Sequence, residues 1–138
     1  MKDFLDVYQN LNRDNLHTLA GVYTRDIHFV DPAHEIKGLE SLTSYFESMY
    51  QDVQSIEFVY RHTHVLKSEA YVQWDMTFAH RKLAGANPIN LSGITFLQFN
   101  DDGMIFFHQD YFDLGAMIYE HIPLLGRVVN YIKGSLKT

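Results

Sequence analysis

Near the end of the chain, the run HQDYFD at residues 108–113 places an imidazole and two carboxylates within six positions. Along a strand, side chains alternate between faces. His108 and Asp110 therefore share one face, and Gln109, Tyr111 and Asp113 share the other. A histidine beside a carboxylate can move protons, because the carboxylate fixes the imidazole tautomer and stabilises the imidazolium. The plainer alternative is a hydrogen-bonded polar pair that only steadies a strand end. Alternation alone does not say which face looks inward. A second carboxylate, Asp31 in FVDP, is held extended by the proline that follows it. His62 and His64 form a His-x-His pair that could begin a zinc site. No HExxH motif or cysteine supplies further ligands, so solvated or interfacial histidines are the better reading. His34-Glu35, in the loop after Pro32, is placed to rim a pocket but, like His80-Arg81 at a strand end, reads more simply as a surface pair.

Composition narrows the setting for this chemistry. A chain of 138 residues fits one domain, 1–138, with a sizeable core. Its formal charge of −6 lacks the basic face a nucleic-acid binder needs. With no cysteine, disulfides, thiolate nucleophiles and cysteine metal centres are excluded. The acidic, amphipathic start does not resemble a signal peptide, and no apolar run reaches a membrane span. The sequence therefore predicts a cytoplasmic protein without stable membrane insertion. Aromatic residues at 14% suit a core built around a cavity as well as a dense one.

The elements that must position these groups come in two blocks. Phe4, Leu5, Tyr8 and Leu11 recur at helical spacing and predict a helix over 3–12. Asp14 is placed to cap a second helix carrying Leu16, Leu19, Ala20 and Tyr23. A short strand, IHFVDP, follows. Leu39, Leu42, Tyr45, Phe46, Met49 and Tyr50 then define a third helix. From Ser55 the period becomes two, with strands predicted over 55–67, 70–82, 89–100 and the segment entering HQDYFD. Lys67-Ser68-Glu69 and Asn100-Asp101-Asp102-Gly103 read as turns. Trp74, Met76 and Phe78 form an apolar face opposite Gln73, Asp75 and Thr77. Tyr60, His62 and His64 are expected to share a face of the preceding strand. Residues 115–138 read as an amphipathic helical tail carrying Ile118, Ile122, Leu125, Val128, Val129, Ile132 and Leu136, interrupted by Pro123 and Gly126. Helices, then an antiparallel meander, then a helix make an α+β domain with one sheet face covered.

Three segments carry a resemblance to a known family: YTRDIHFVDPAHEIKG, FLQFNDDGMI and HQDYFDLG. The chain over about residues 3–115 resembles the nuclear transport factor 2-like superfamily, especially its SnoaL-like polyketide cyclase and ketosteroid isomerase-like branch. The resemblance implies a cone-shaped, strongly curved antiparallel sheet with the N-terminal helices on its concave face. It places Asp31 where ketosteroid isomerases keep their base and Thr95 where they keep a protonated aspartic acid. The helix-one tyrosine of those enzymes would fall at Val7, one position from Tyr8. Phe106, His108, Asp110 and Phe112 would face the cavity. In such a cone Asp31 would be desolvated and suited to act as a base.

The leading expectation is a small-molecule enzyme that transfers protons on an apolar or polyketide-like substrate, with an isomerase, cyclase or dehydratase outcome. Asp31 or Asp110 would be the base and His108 its partner. Trp74, Phe106, Phe112 and Thr95 would hold the substrate, with Tyr23 within reach. Such chemistry calls for no metal and no organic cofactor. A non-catalytic ligand-binding module and a dimeric assembly domain remain as alternatives. A homodimer is expected through the outer sheet face, where Gln73, Asp75 and Thr77 neighbour Ile105, Phe107 and Tyr111. The tail would close the pocket, extend the dimer contact or lie on a membrane, and packing on its own domain is the simplest of these.

Overall fold

The computed structural model describes residues 1–117 and 123–136. Its secondary elements are α1 (Lys2–Asn10), β1 (Tyr23–Val30), β2 (Glu35–Lys37), α2 (Leu39–Tyr50), β3 (Val53–Leu66), β4 (Glu69–His80), β5 (Ile89–Phe99), β6 (Ile105–Phe112), α3 (Leu114–Met117) and α4 (Pro123–Ser135). The six strands form one curled sheet in the order β2-β1-β6-β5-β4-β3. All neighbours run antiparallel except β1 and β6, which are parallel, so the expected antiparallel sheet has one parallel seam. That seam joins the first strand to the last and sets Phe29 beside His108.

The helical stripes of α1 and α2 do what their spacing predicts. Phe4 of α1 and Leu42, Phe46 and Tyr50 of α2 are buried with Leu19, Ile27 and Leu97 in one core on the concave side of the sheet. The second predicted helix differs. Leu16–Gly21 is a short 3-10 helix preceded by Asn15, with no side-chain cap, and Tyr23 already belongs to β1. Asp14 does not cap it. Asn15 instead organises the turn, accepting the Asn12 amide at 2.7 Å.

Turn chemistry follows the sequence closely. Asn100 Oδ1 accepts the amides of Asp102 and Met104, and Gly103 adopts a φ of +79° that closes the β5–β6 hairpin. Lys67 takes the left-handed conformation at the β3–β4 turn. Glycine has a second use at Gly93. It lies opposite Trp74 on β4 and Phe112 on β6. A Cβ there would collide with the indole and approach the Tyr111 carbonyl oxygen to 2.8 Å. The absent side chain lets Trp74 lie across β5.

Two ladder irregularities reverse the expected alternation. Between Tyr60 and His62 the β3–β4 register shifts, leaving Arg61 as an extra residue. Tyr60 faces the concave side, while His62 and His64 pair with Gln73 and Tyr71 on the outer side. Between Gln98 and Phe99 the β5–β6 register shifts at Phe106. Ile105 is therefore core, with Phe106 39% exposed, contrary to the faces both were expected to occupy.

In the tail, Pro123 opens α4 rather than interrupting it, and Gly126 lies inside that helix. Lys133 of α4 pairs with Asp113 at 2.7 Å, tying the helix to the end of β6. Val128, Tyr131, Ile132 and Leu136 remain exposed. Ile118 and Ile122 lie outside the described residues, as does the side chain of Leu125.

Candidate functional site

The concave face of the sheet and helices α1 and α2 enclose a cavity of about 430 Å³. Its walls are mainly aromatic: Phe4 and Tyr8 come from α1, Phe46 from α2, Phe58 and Tyr60 from β3, and Trp74 and Phe78 from β4. Phe112 of β6 and Met117 of α3 complete the wall nearest the tail. A volume in this range suits a small organic ligand.

At one end, polar groups enter this apolar lining through a continuous chain of hydrogen bonds. Trp74 donates its indole N–H to Thr95 Oγ1 at 2.8 Å, and Thr95 donates its hydroxyl to Asp110 Oδ1 at 2.5 Å. His108 Nε2 meets the same Asp110 oxygen at 2.8 Å, while its Nδ1 lies 2.7 Å from the Tyr23 hydroxyl. Tyr23 is in turn 2.6 Å from the Tyr8 hydroxyl.

The direction of each bond follows from the end whose chemistry is fixed. Indole N–H can only donate, so Thr95 accepts there and its single hydrogen goes to the Asp110 carboxylate. With the imidazole neutral, Asp110 Oδ1 receives the Nε2–H of His108 and Nδ1 is left as an acceptor for Tyr23. Tyr23 accepts from Tyr8. Both arms deliver their hydrogens toward Asp110.

Burial and charge shape this chain. His108 is 1% exposed and packs among the rings of Phe4, Tyr8, Tyr23 and Phe29, the last at 4.6 Å. Burial pushes the phenols of Tyr8 and Tyr23 well above their ordinary range, and the charge of Asp110 adds to both shifts. The Tyr60 phenol is likewise raised, chiefly by burial and then by Tyr50 and Asp110.

The expected site residues fall into distinct places. Asp110, His108, Thr95, Trp74 and Phe112 meet in the cavity. His108 cannot touch a ligand through nitrogen, since both nitrogens are engaged. The Trp74 N–H is held by Thr95, which leaves the ring face for a ligand. Tyr23 does not line the cavity and instead bridges His108 to Tyr8. Phe106, expected as a wall residue, lies outside because the β6 irregularity turns it away.

Asp31 lines the cavity from the end of β1, but its Oδ1 closes a turn. It accepts the amides of Ala33 and His34 at 2.8 and 2.7 Å and lies 3.1 Å from His34 Nδ1. The Tyr45 hydroxyl approaches Oδ2 at 3.4 Å. His34, read from sequence as a surface residue, and His80 both reach the cavity lining.

The cavity hydroxyls of Tyr8 and Tyr60 were not singled out from sequence, nor were those of Tyr45 and Ser48. Tyr8 sits on the α1 stripe with Phe4, Leu5 and Leu11 and reads as ordinary core. Val7, the position where the ketosteroid isomerase tyrosine would fall, packs against the core instead. Tyr60 continues the inward alternation of Ile56 and Phe58 ahead of the β3 irregularity, and its hydroxyl meets no partner among the described residues.

Comparison with known proteins agrees with this architecture. A family model described as a SnoaL-like domain matches residues 4–108. The chain belongs to the SnoaL-like domain family. No curated protein sequence matches it. Among solved structures, a candidate SnoaL-like polyketide cyclase from Jannaschia sp. CCS1 superposes with a TM-score of 0.72 at 14% identity, over 84% of this chain and 86% of that one. An NTF2-like protein from Burkholderia pseudomallei superposes with a TM-score of 0.74 at 12% identity, over 85% and 92%. A ketosteroid isomerase-like fold from Catenulispora acidiphila, in complex with trimethylamine, superposes with a TM-score of 0.70 at 14% identity, over 86% and 87%. At such identities the likeness shows the SnoaL-like fold alone, and this fold hosts many chemistries. The family match ends at His108, two residues before Asp110.

Proposed function

We propose that the cavity carries out cofactor-independent acid/base chemistry on an apolar or polyketide-like small molecule, with Asp110 as the base. One observation carries this reading. Asp110 Oδ1 receives two hydrogen bonds, from Thr95 and His108, whereas no donor among the described residues reaches Oδ2. The carboxylate is thus fixed through one oxygen and free through the other, in a cavity it lines.

The chemistry that fits is removal of a proton from carbon beside a carbonyl. The C–H proton passes to Asp110 Oδ2, and its bonding electrons move into the carbonyl to form an enolate. The Tyr60 hydroxyl is available to donate to that oxygen. Return of the proton at another carbon gives an isomerase. Attack of the enolate on a second carbonyl gives a cyclase, and expulsion of a protonated hydroxyl gives a dehydratase. Trp74 and Phe112 offer faces for a planar substrate. Thr95, His108 and Tyr23 act by holding Asp110. Asp31 is the weaker base candidate because its Oδ1 is committed to the turn and Tyr45 covers Oδ2.

Exchange of α-protons for deuterium in aromatic 1,3-diketones, followed by NMR in heavy water, tests the step common to all three outcomes. The parent is expected to accelerate exchange, and Asp110→Asn to lose about a hundredfold or more of that acceleration. Asp31→Asn should lose far less. Full exchange by Asp110→Asn alongside loss in Asp31→Asn would move the base to Asp31.

The same reading takes residues 1–138 as one unit acting in the cytoplasm as a homodimer through the outer sheet face. Tyr71, Ile94 and Tyr111 are each about half exposed there, and Ile94 and Tyr111 are direct cross-strand neighbours.

A further inference from the structure

The hydrogen-bond polarity of the buried chain restricts what can occupy the cavity. Trp74 and Thr95 direct their hydrogens to Asp110 from one side, and Tyr8, Tyr23 and His108 do so from the other. Neither arm can turn a hydrogen toward a ligand without breaking an internal bond. At this end the hydrogen-bond chain itself therefore presents two acceptors, the lone pair of Tyr8 Oη and Asp110 Oδ2, and no donor. A ligand there must bring its own donors.

Charge narrows the choice further. Among the described lining residues there are two carboxylates, Asp31 and Asp110, and no lysine or arginine. Asp31 is compensated by two backbone amides and the His34 ring. Asp110 has compensation on Oδ1 only. Its charge reaches across the cavity, since the phenols of Tyr8, Tyr45 and Tyr60 are all raised in part by it. A carboxylate or phosphate placed here would meet two acceptors and a negative field with no strong cation. A neutral alcohol would satisfy the acceptors and leave the charge of Asp110 unmatched. An ammonium group answers both, and the surrounding aromatic faces attract it as well.

We propose that the cavity selects a protonated amine on an apolar, aromatic-sized skeleton, with its N–H groups meeting the Tyr8 oxygen and Asp110 Oδ2. The proposal rests on the same free Asp110 oxygen as the acid/base reading and names its ligand class. In an α-amino ketone the carbon that loses its proton neighbours the ammonium, so both groups belong at this end of the cavity.

A matched set of probes separates charge from skeleton: 2-(naphthalen-2-yl)ethylamine, 2-(naphthalen-2-yl)ethanol and 2-naphthylacetic acid, titrated calorimetrically at neutral pH and low salt. The amine is expected to bind at least about tenfold tighter than the alcohol, a difference of about 1.4 kcal/mol. The acid should bind weakest. Asp110→Asn should bring amine and alcohol to near-equal affinity, chiefly by weakening the amine. Tyr8→Phe supplies a second reading if Asp110→Asn folds poorly, and should lower the amine preference severalfold. Equal binding of amine and alcohol by the parent overturns the proposal, as does tightest binding by the acid. A preference that survives both substitutions, or no measurable binding by any probe, overturns it equally. Failure here is distinguishable from failure of the acid/base reading. That reading is decided by α-proton exchange, which can persist with no amine preference or vanish while the preference remains.

Discussion

Removing the Tyr23 hydroxyl should damage this protein more than removing that of Tyr8, although the two are bonded to each other. Tyr23 is 1% exposed and bridges two partners, Tyr8 at 2.6 Å and His108 Nδ1 at 2.7 Å. Tyr23→Phe strands the buried His108 acceptor, a loss of about 1–3 kcal/mol, and removes the bond donated by Tyr8, about 1 kcal/mol more. The expected destabilisation is about 3 kcal/mol, or roughly 6–12 °C in melting temperature for a chain of this size. Tyr8→Phe removes one bond and leaves Tyr23 still donating to His108, so about 1 kcal/mol is expected. With Tyr23 already replaced, the Tyr8 hydroxyl has lost its partner, and its removal should cost close to nothing. The double variant should therefore cost about 3 kcal/mol rather than the roughly 4 of the summed singles, a coupling of about 1 kcal/mol.

Urea unfolding followed by tryptophan fluorescence suits this cycle. The single tryptophan, Trp74, lies at the opposite end of the same chain of hydrogen bonds. A Tyr8→Phe loss equal to that of Tyr23→Phe, with an additive double variant, would refute the shared chain. Unchanged stability in Tyr23→Phe would refute it more directly.

Two further outcomes follow from the same structure. Ile94→Lys places a charge among Tyr71, Gln73 and Tyr111 on the outer sheet face. It is expected to shift a dimer to monomer by light scattering without lowering the melting temperature of the monomer, and an unchanged mass would move the interface elsewhere. The phenols of Tyr8, Tyr23, Tyr45, Tyr50 and Tyr60 are all raised in the folded state, Tyr50 to about 12, chiefly by burial. Raised phenols stay protonated in the fold while unfolded ones ionise near 10. Their stabilisation is intact below that pH and lost above it, each removing up to about 1.4 kcal/mol per pH unit. Alkaline unfolding should thus be steep and coincide with phenolate absorbance, whereas stepwise ionisation of a folded protein at pH 10 would contradict the burial.

Periodicity exposed most of the fold because most elements here obey a single period. The α2 stripe from Leu39 to Tyr50 and the Asn100–Gly103 turn are local signals, and both stand as predicted. The reading slipped where an element is too short to show its period or where a single extra residue breaks it. Leu16, Leu19 and Tyr23 have helical spacing, yet the chain winds only a 3-10 helix to Gly21 before extending. Strand β2 spans three residues, too few to show alternation. Arg61 and Phe106 each interrupt a ladder, and one inserted residue exchanges the two faces of everything counted across it. That parity change sent Phe106 outward, brought Ile105 into the core and separated Tyr60 from His62.

The site was legible to a different degree, for a reason that concerns distance along the chain. His108 and Asp110 are two residues apart, so their pairing is a local property of β6. The rest of the hydrogen-bond chain is not local. Tyr8, Tyr23 and Thr95 come from α1, β1 and β5, and the bond from Tyr23 to His108 spans 85 positions. No spacing rule links a phenol on an apolar helical stripe to an imidazole on the last strand. The parallel β1–β6 seam makes that link, by setting the first strand against the last under the face where α1 docks. The seam also explains why the buried tyrosines are so easily mistaken for core. Each ring does pack as core, and only its hydroxyl, at the far edge of the ring, belongs to the chain. The arrangement that frees Asp110 Oδ2 is therefore a consequence of topology, and the residues to change in testing it are the buried bridges as much as the carboxylate they hold.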